Sequence, residues 1–237
     1  YATYGGGSWE TSTVDDSGDV LGSSSICVGD GGTLHITYSS SDGPATSSKL
    51  RYVSKAAGAD TWTSPVVVDE SGTANVGNHS SIALDGDGFV HVSYYTEDGD
   101  RLRYAQNTSG AFSAETVPLP DDPVRSSAGH FTSMAVDSNG AAHIAYSWFG
   151  TQVTYATNAG GAWDVGEIDY MGGDPSLALD SNDAVHISYA NTPYLAHATK
   201  AVGGTWSFEG ELDGSVDPVR SVGEGSSIAL DSNDQIH

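Results

Sequence analysis

The chain has 237 residues, 31 of them Asp or Glu and only 8 Lys or Arg, for a formal net charge of −23. A field of that sign repels phosphate backbones and anionic bilayers, which argues against nucleic acid as a partner. No apolar run approaches the ~18 residues a membrane helix needs, so no membrane insertion is expected. The single cysteine, Cys27, rules out an internal disulfide.

Thirty glycines, with abundant Ser, Thr, Asp and Asn, belong to short strands joined by many turns. No stretch sustains a helical period. The chain opens on Tyr1 without a leader, and reads as a processed product or a piece of something longer.

In chain order, the first elements are Tyr1-Ala2-Thr3, a Gly turn and Trp9, which read as the last two strands, C and D, of a repeat unit. The segment Ser24 to Tyr38 follows and returns as Ser80 to Tyr94, Thr132 to Tyr146 and Pro175 to Tyr189, with a last, shorter copy from Ser226 to His237. Each copy holds an apolar strand A, an Asp-rich turn and a strand B opened by a histidine: His35, His91, His143, His186 and His237. After each full copy comes an apolar-x-aromatic-small strand C: Leu50 to Val53, Leu102 to Ala105, Val153 to Ala156, and Leu195 to Ala198 with His197 in the aromatic slot. Strand D carries an aromatic: Trp62, Phe112, Trp163 and Trp206.

Four short strands recurring roughly every fifty residues is the spacing of propeller blades. The expectation is an all-β, five-bladed β-propeller of four-stranded antiparallel blades. Its ring is closed by the N-terminal C and D strands and the C-terminal A and B strands, which removes open edges. One domain then spans 1–237, with blades at about 22–70, 78–118, 130–169, 173–213, and 224–237 plus 1–15. The composite blade lacks about ten residues of its central hairpin, judged against usual hairpin lengths.

The run Ser-x-Ala-x-Asp-x-Asn-Gly-x-x-His-Ile-x-Tyr, then Leu-x-Tyr-Ala, then Gly-x-Trp, resembles the repeats of secreted bacterial β-propeller proteins. It is loosely similar to sialidase-type repeats and, in blade count, to tachylectin-like lectins. The resemblance covers essentially the whole chain and implies the fold and an extracellular or cell-surface setting. The sialidase Asp-box and the tachylectin Trp-Gly motifs are not reproduced, so it implies no activity.

The five histidines stand one per blade, too far apart to share an ion, and read as structural residues bonded to nearby backbone. The turns Asp85-Gly86-Asp87, Asp137-Ser138-Asn139, Asp180-Ser181-Asn182 and Asp231-Ser232-Asn233 leave two readings open. Their Asp and Asn serve the turn's own backbone, or the pairs Asp85/Asp87, Asp137/Asn139, Asp180/Asn182 and Asp231/Asn233 offer oxygens to Ca²⁺. No cofactor is otherwise required.

The connections from strand D to the next strand A vary most between repeats, and function sits on variable loops at a fixed scaffold. They bring His79, His130, Phe131, Asp174 and Glu224 to the mouth of the central channel, with Arg125 and Arg220 in nearby connectors. These are the candidate ligand-binding residues. Trp9, Trp62, Trp163 and Trp206 read as packing between blades. Tyr4, Trp148, Phe149, Tyr170 and Tyr194 fall outside the repeat and are candidates for ligand contact. Cys27 takes the place of an alanine on strand A, which suits a buried, inert thiol.

The leading functional expectation is a non-catalytic secreted module binding a glycan or another small polar ligand at the funnel or between blades. An alternative is a glycoside hydrolase using Asp174 and Glu224, whose chemistry needs two facing carboxyls. A third is an assembly domain that self-associates through the incomplete blade.

Overall fold

A computed structural model describes residues 1–43, 47–119, 127–148, 152–210, 212, 223 and 225–237. It contains eighteen strands: β1 (Ala2–Gly5), β2 (Ser8–Thr11), β3 (Asp19–Val28), β4 (Leu34–Ser41), β5 (Lys49–Lys55), β6 (Val66–Glu70), β7 (Val76–Leu84), β8 (Val90–Thr96), β9 (Arg101–Gln106), β10 (Ser113–Thr116), β11 (Ala128–Val136), β12 (Ala142–Trp148), β13 (Gln152–Thr157), β14 (Asp164–Asp169), β15 (Gly172–Leu179), β16 (Val185–Asn191), β17 (Tyr194–Lys200) and β18 (Ser207–Glu209). They form four antiparallel four-stranded sheets, β3–β6, β7–β10, β11–β14 and β15–β18, and one two-stranded hairpin, β1–β2. No helix among the described residues is long and apolar enough to cross a membrane.

The protein is a five-bladed β-propeller. Each sheet is one blade, with its first strand innermost. A channel of about 510 Å³ is lined by Cys27 and Val28 of blade one, Ile82 to Leu84 of blade two, Met134 to Val136 of blade three, Leu177 to Leu179 of blade four, and Leu230 of the fifth unit. Cys27 is half-buried there, and burial pushes its thiol up to about 11. It behaves as the small inert residue its position suggests.

Apolar clusters lie between successive blades. Leu50 and Val68 meet Ile82, Val90, Val92 and Tyr94; Leu102 and Val117 meet Met134, Ile144 and Tyr146; Val153 and Tyr155 meet Leu177, Ile187 and Tyr189. Each fully buried aliphatic side chain is worth roughly 1.5–3 kcal/mol. A second device repeats at every seam. The aromatic of strand C packs edge-on against the strand D aromatic of the next blade: Tyr1–Trp62 at 5.5 Å, Tyr52–Phe112 at 5.4 Å, Tyr104–Trp163 at 5.3 Å and Tyr155–Trp206 at 5.1 Å between ring centroids. Trp62, Trp163 and Trp206 are packing residues, as expected. The first contact seats the N-terminal hairpin as the outer half of the fifth blade.

Hydroxyl bonds complete the seams. Ser25, Ser81, Ser133 and Ser176 each accept, through Oγ, the backbone N–H of the next inner strand, at Ile82, Met134, Leu177 and Ile228. The fourth bond seats the C-terminal segment beside blade four, where Leu230 and Ile236 form an isolated bridge. No backbone ladder joins this inner segment to the β1–β2 hairpin among the described residues. The flank of blade one beside it therefore exposes Ile26 and Val28, at 49% and 65%. Trp9 of the hairpin is 70% exposed and meets Tyr4 rather than a neighbouring blade.

Candidate functional site

The Asp-rich turns cap themselves. In blade three, Asp137 Oδ1 accepts the N–H groups of Asn139 and Ala141, and Oδ2 lies 3.4 Å from His143 Nε2. Asp85, Asp180 and Asp231 accept the matching pairs, Asp87 and Phe89, Asn182 and Ala184, and Asn233 and Gln235. The side chains expected as possible Ca²⁺ ligands (Asp85, Asp87, Asp137, Asn139, Asp180, Asn182, Asp231 and Asn233) thus sit in tight turns whose first Asp accepts two backbone N–H groups on one oxygen and, at Asp85 and Asp137, meets a histidine with the other. No cluster of three or more His, Cys, Asp or Glu that could hold a metal is found among the described residues. Neighbouring turns are tied together: Ser138 donates through N and Oγ to Asp183, and Ser181 does so to Asp234.

The strand B histidines are structural, but their partners are side chains rather than the expected backbone. His91 Nδ1 lies 2.6 Å from the Tyr104 hydroxyl and Nε2 3.3 Å from Asp85. His143 repeats this with Tyr155 and Asp137. Blade one keeps only His35–Tyr52, because Gly29 replaces the Asp. A Cβ at Gly29 would come within 3.1 Å of His35 Nε2. Blade four pairs His186 with His197 at 3.2 Å.

The opposite end of the channel is chemically different. Here the inner strands begin, and each is bulged. Register shifts interrupt β7 before Ser81, β11 before Ser133 and β15 before Ser176. At the bulges His79, Phe131 and Asp174 take left-handed backbone, with φ of 53°, 51° and 48°. A glycine precedes each bulge. Gly77 and Gly129 hold positive φ, and a Cβ on either would press within 2.9 Å of Leu50 or 2.8 Å of Leu102. Only glycine lets the strand run this close to the neighbouring blade before it bends outward. Hydroxyls then fix the bulges. Ser23 Oγ accepts from His79 N at 2.7 Å, Thr132 Oγ donates to His79 O at 2.6 Å, and Ser147 Oγ accepts from Asp174 N at 3.1 Å.

The sequence placed His79, His130, Phe131 and Asp174 in connecting loops. They lie instead within β7, β11 and β15, on rigid strands. Three of them converge: His79 is 4.6 Å from Phe131 and 5.0 Å from His130, between ring centroids. Asp174, whose carboxylate accepts the N–H of Gly225, favours the charged form of His79. Two further residues went unrecognised. Tyr95 packs at a tilt against His130, ring centroids 4.4 Å apart, and its hydroxyl donates to Asp100 at 2.5 Å. Burial holds His79 and His130 below the ordinary imidazole range; His130 adds to this for His79, while Asp174 opposes it for His79 and Asp100 for His130. Burial and the Asp100 carboxylate push the Tyr95 hydroxyl well up. Phe131 is 44% exposed, an apolar ring face presented to solvent beside neutral imidazoles and a carboxylate.

Glu224, Arg125, Arg220 and Phe149 lie outside the described residues. Trp148, expected as a ligand contact, is 1% exposed and belongs to the core between blades two and three. Tyr170 is exposed, and Tyr194 is half-buried.

No family model matches the chain, and no curated protein is similar to it in sequence. Solved structures share its fold. The NanB sialidase of Streptococcus pneumoniae aligns with a TM-score of 0.61 at 10% identity, over 91% of this chain and 55% of the sialidase. Aleuria aurantia lectin, in complex with α-methyl-L-fucoside, aligns at 0.59 and 16% identity, over 88% of this chain and 68% of the lectin. Penicillium chrysogenum α-L-arabinanase, complexed with arabinobiose, aligns at 0.53 and 15% identity, over 86% of this chain and 64% of the arabinanase. The chain spans only part of these proteins, 55% of the sialidase, 68% of the lectin and 64% of the arabinanase. At these identities the likeness is one of fold, the β-propeller.

Proposed function

We propose that this propeller is a glycan-binding module whose ligand sits at the funnel mouth, on Phe131 between His79, His130 and Asp174. One observation carries the reading: His79 packs ring on ring against both Phe131 and His130, and His79, Phe131 and Asp174 all hold strained backbone at the same step of successive blades. A non-Gly residue in the left-handed region costs about 1–3 kcal/mol, and such strain concentrates at functional sites. Phe131 offers a face for the C–H side of a sugar ring, as exposed aromatics do for partly apolar ligands. Neutral imidazoles and the Asp174 carboxylate offer acceptors and donors for hydroxyls. The fold neighbours, which include a lectin and two carbohydrate-named enzymes, are consistent with sugar recognition.

The Asp turns enter this reading as scaffold, and binding needs no cation. The cell exterior as its setting rests on the resemblance of its repeats to those of secreted β-propeller proteins. Hydrolysis would need a second carboxyl facing Asp174, and Glu224 was the expected partner.

The test is a glycan array with the native chain, run beside hydrolysis assays on aryl glycosides. Retention of neutral glycans without turnover is expected. Turnover that disappears in Asp174→Asn would replace this reading with the hydrolase.

A further inference from the structure

The two funnel-mouth imidazoles share no proton. His79 and His130 lie 5.0 Å apart, tilted by 49°, in ring contact without a hydrogen bond between them. Each has a different carboxylate beside it: Asp174 acts on His79, and Asp100, at the β8–β9 turn, acts on His130. The two carboxylates come from different blades. Phe131 packs on His79, and Tyr95 packs on His130, so the pair joins the two halves of an aromatic wall. Both His79 and Phe131 hold left-handed backbone, and their rings pack on each other.

We propose that the His79–His130 pair is an acid-operated latch, closing the aromatic wall of this mouth at neutral pH and opening it in acid. The inference rests on reading the mouth as a glycan site. With both rings neutral, packing holds them together. With both protonated, two positive charges face each other at van der Waals range, and each is drawn to its own carboxylate. The two carboxylates stand on different blades, Asp174 on blade four and Asp100 on blade two. The rings part, Phe131 loses its support on His79, and its strained backbone can relax. Of the charged and titratable groups on the elements packed against β7 and β11, Asp174 acts on His79 and Asp100 on His130; the others are Asp19 of β3, His35 of β4, Lys49, Arg51 and Lys55 of β5, Asp69 and Glu70 of β6, His91 of β8, Glu97 and Asp98 of the β8–β9 turn, Arg101 and Arg103 of β9, and His143 of β12.

The sign follows from burial, which favours the neutral rings. Both stay uncharged at neutral pH and take protons below the ordinary histidine range, near about 6.5. The closed state is therefore fully present above that range and is lost as pH falls through it.

The test is an NMR titration of the whole chain between about pH 7.5 and about pH 5, where histidines change charge. It reads the imidazole resonances of His79 and His130 together with the ring resonances of Phe131 and Tyr95. The Phe131 and Tyr95 signals should move in step with the two imidazoles. Added α-methyl-L-fucoside or arabinobiose, whichever binds at neutral pH, should bind about tenfold more weakly at the acid end. His130→Phe should leave the Phe131 and Tyr95 signals unchanged with pH; His79→Phe serves if that chain does not fold. Ring signals that stay fixed while both histidines titrate would overturn the latch, as would an unchanged transition in the variant. Moving rings with neither sugar bound at any pH would leave the latch standing and remove the glycan reading instead.

Discussion

Phe131 carries the sharpest conflict between local and global preference. A phenylalanine at φ 51° is disfavoured by about 1–2 kcal/mol, because its Cβ crowds the following carbonyl. Glycine would carry no such penalty. Phe131→Gly should therefore be about 1 kcal/mol more stable than Phe131→Ala in urea unfolding, while both lose the glycan. Equal stabilities would show that the bulge relaxes once the ring is gone. Asp137 makes the opposite case, a polar residue that is buried because its turn needs it. Two backbone N–H groups and His143 depend on its carboxylate, so Asp137→Ala should destabilise by about 2–4 kcal/mol in the same assay. A change under about 0.5 kcal/mol would mean that water replaces the carboxylate at little penalty. The turns were legible as Asp-x-Asn-Gly because that composition is local. The His–Tyr partnership was not. His91 and Tyr104 are 13 positions apart, and only strand register brings them to 2.6 Å. Tyr95 and Asp100 carried a weak sign, a second tyrosine beside the repeat's Tyr94 and a Gly-containing turn, but no periodicity marks two residues that occur once.

At the scale of elements, the strand B tyrosine of blades one, two and four has a role the repeat alone did not suggest. Tyr38, Tyr94 and Tyr189 donate to Asp15, Asp69 and Asp169 of the preceding blade, Asp69 and Asp169 near the end of its last strand and Asp15 four residues beyond β2. The sequence holds the signal, an apolar-Asp pair in Val14-Asp15, Val68-Asp69 and Ile168-Asp169, but the bond crosses between repeats. Tyr94 is fully buried, and Asp69 also holds Arg103. Tyr94→Phe should therefore lower stability by about 1–2 kcal/mol without altering the far-ultraviolet spectrum; no loss would make the bond incidental. Strands were legible throughout because blades repeat. The bulges that shape the mouth were not, since a bulge adds a residue without breaking the apolar pattern. Their one sign is the glycine four residues before Ser81, Ser133, Ser176 and Ser227. That glycine also explains why His79, Phe131 and Asp174 sit on strands and not in loops.

For the whole molecule, acid should unfold the ring in two stages. Burial first holds His35, His79, His91, His130, His143 and His197 below their ordinary value. The unfolded chain then binds protons more readily, so stability falls once pH drops below about 6.5. At Asp85, Asp137 and Asp180 burial alone would raise the carboxyl. The turn N–H groups and the adjacent histidine outweigh it, and the net direction is down. Their contribution is present above the ordinary carboxylate range and is lost as pH falls through about 4 and below. A melting temperature that stayed flat from neutral pH to about 5 would contradict the first stage. EDTA should leave the melting temperature unchanged, because the Asp turns are closed by their own backbone; a fall would assign them to Ca²⁺.

The most direct measurement is a calorimetric titration of α-methyl-L-fucoside and arabinobiose into the native chain and into Phe131→Ala, at neutral pH with EDTA present. A saturable heat with the native chain that vanishes in Phe131→Ala is the predicted result. Binding of equal strength in both would place the ligand elsewhere on the propeller and contradict the funnel-mouth site.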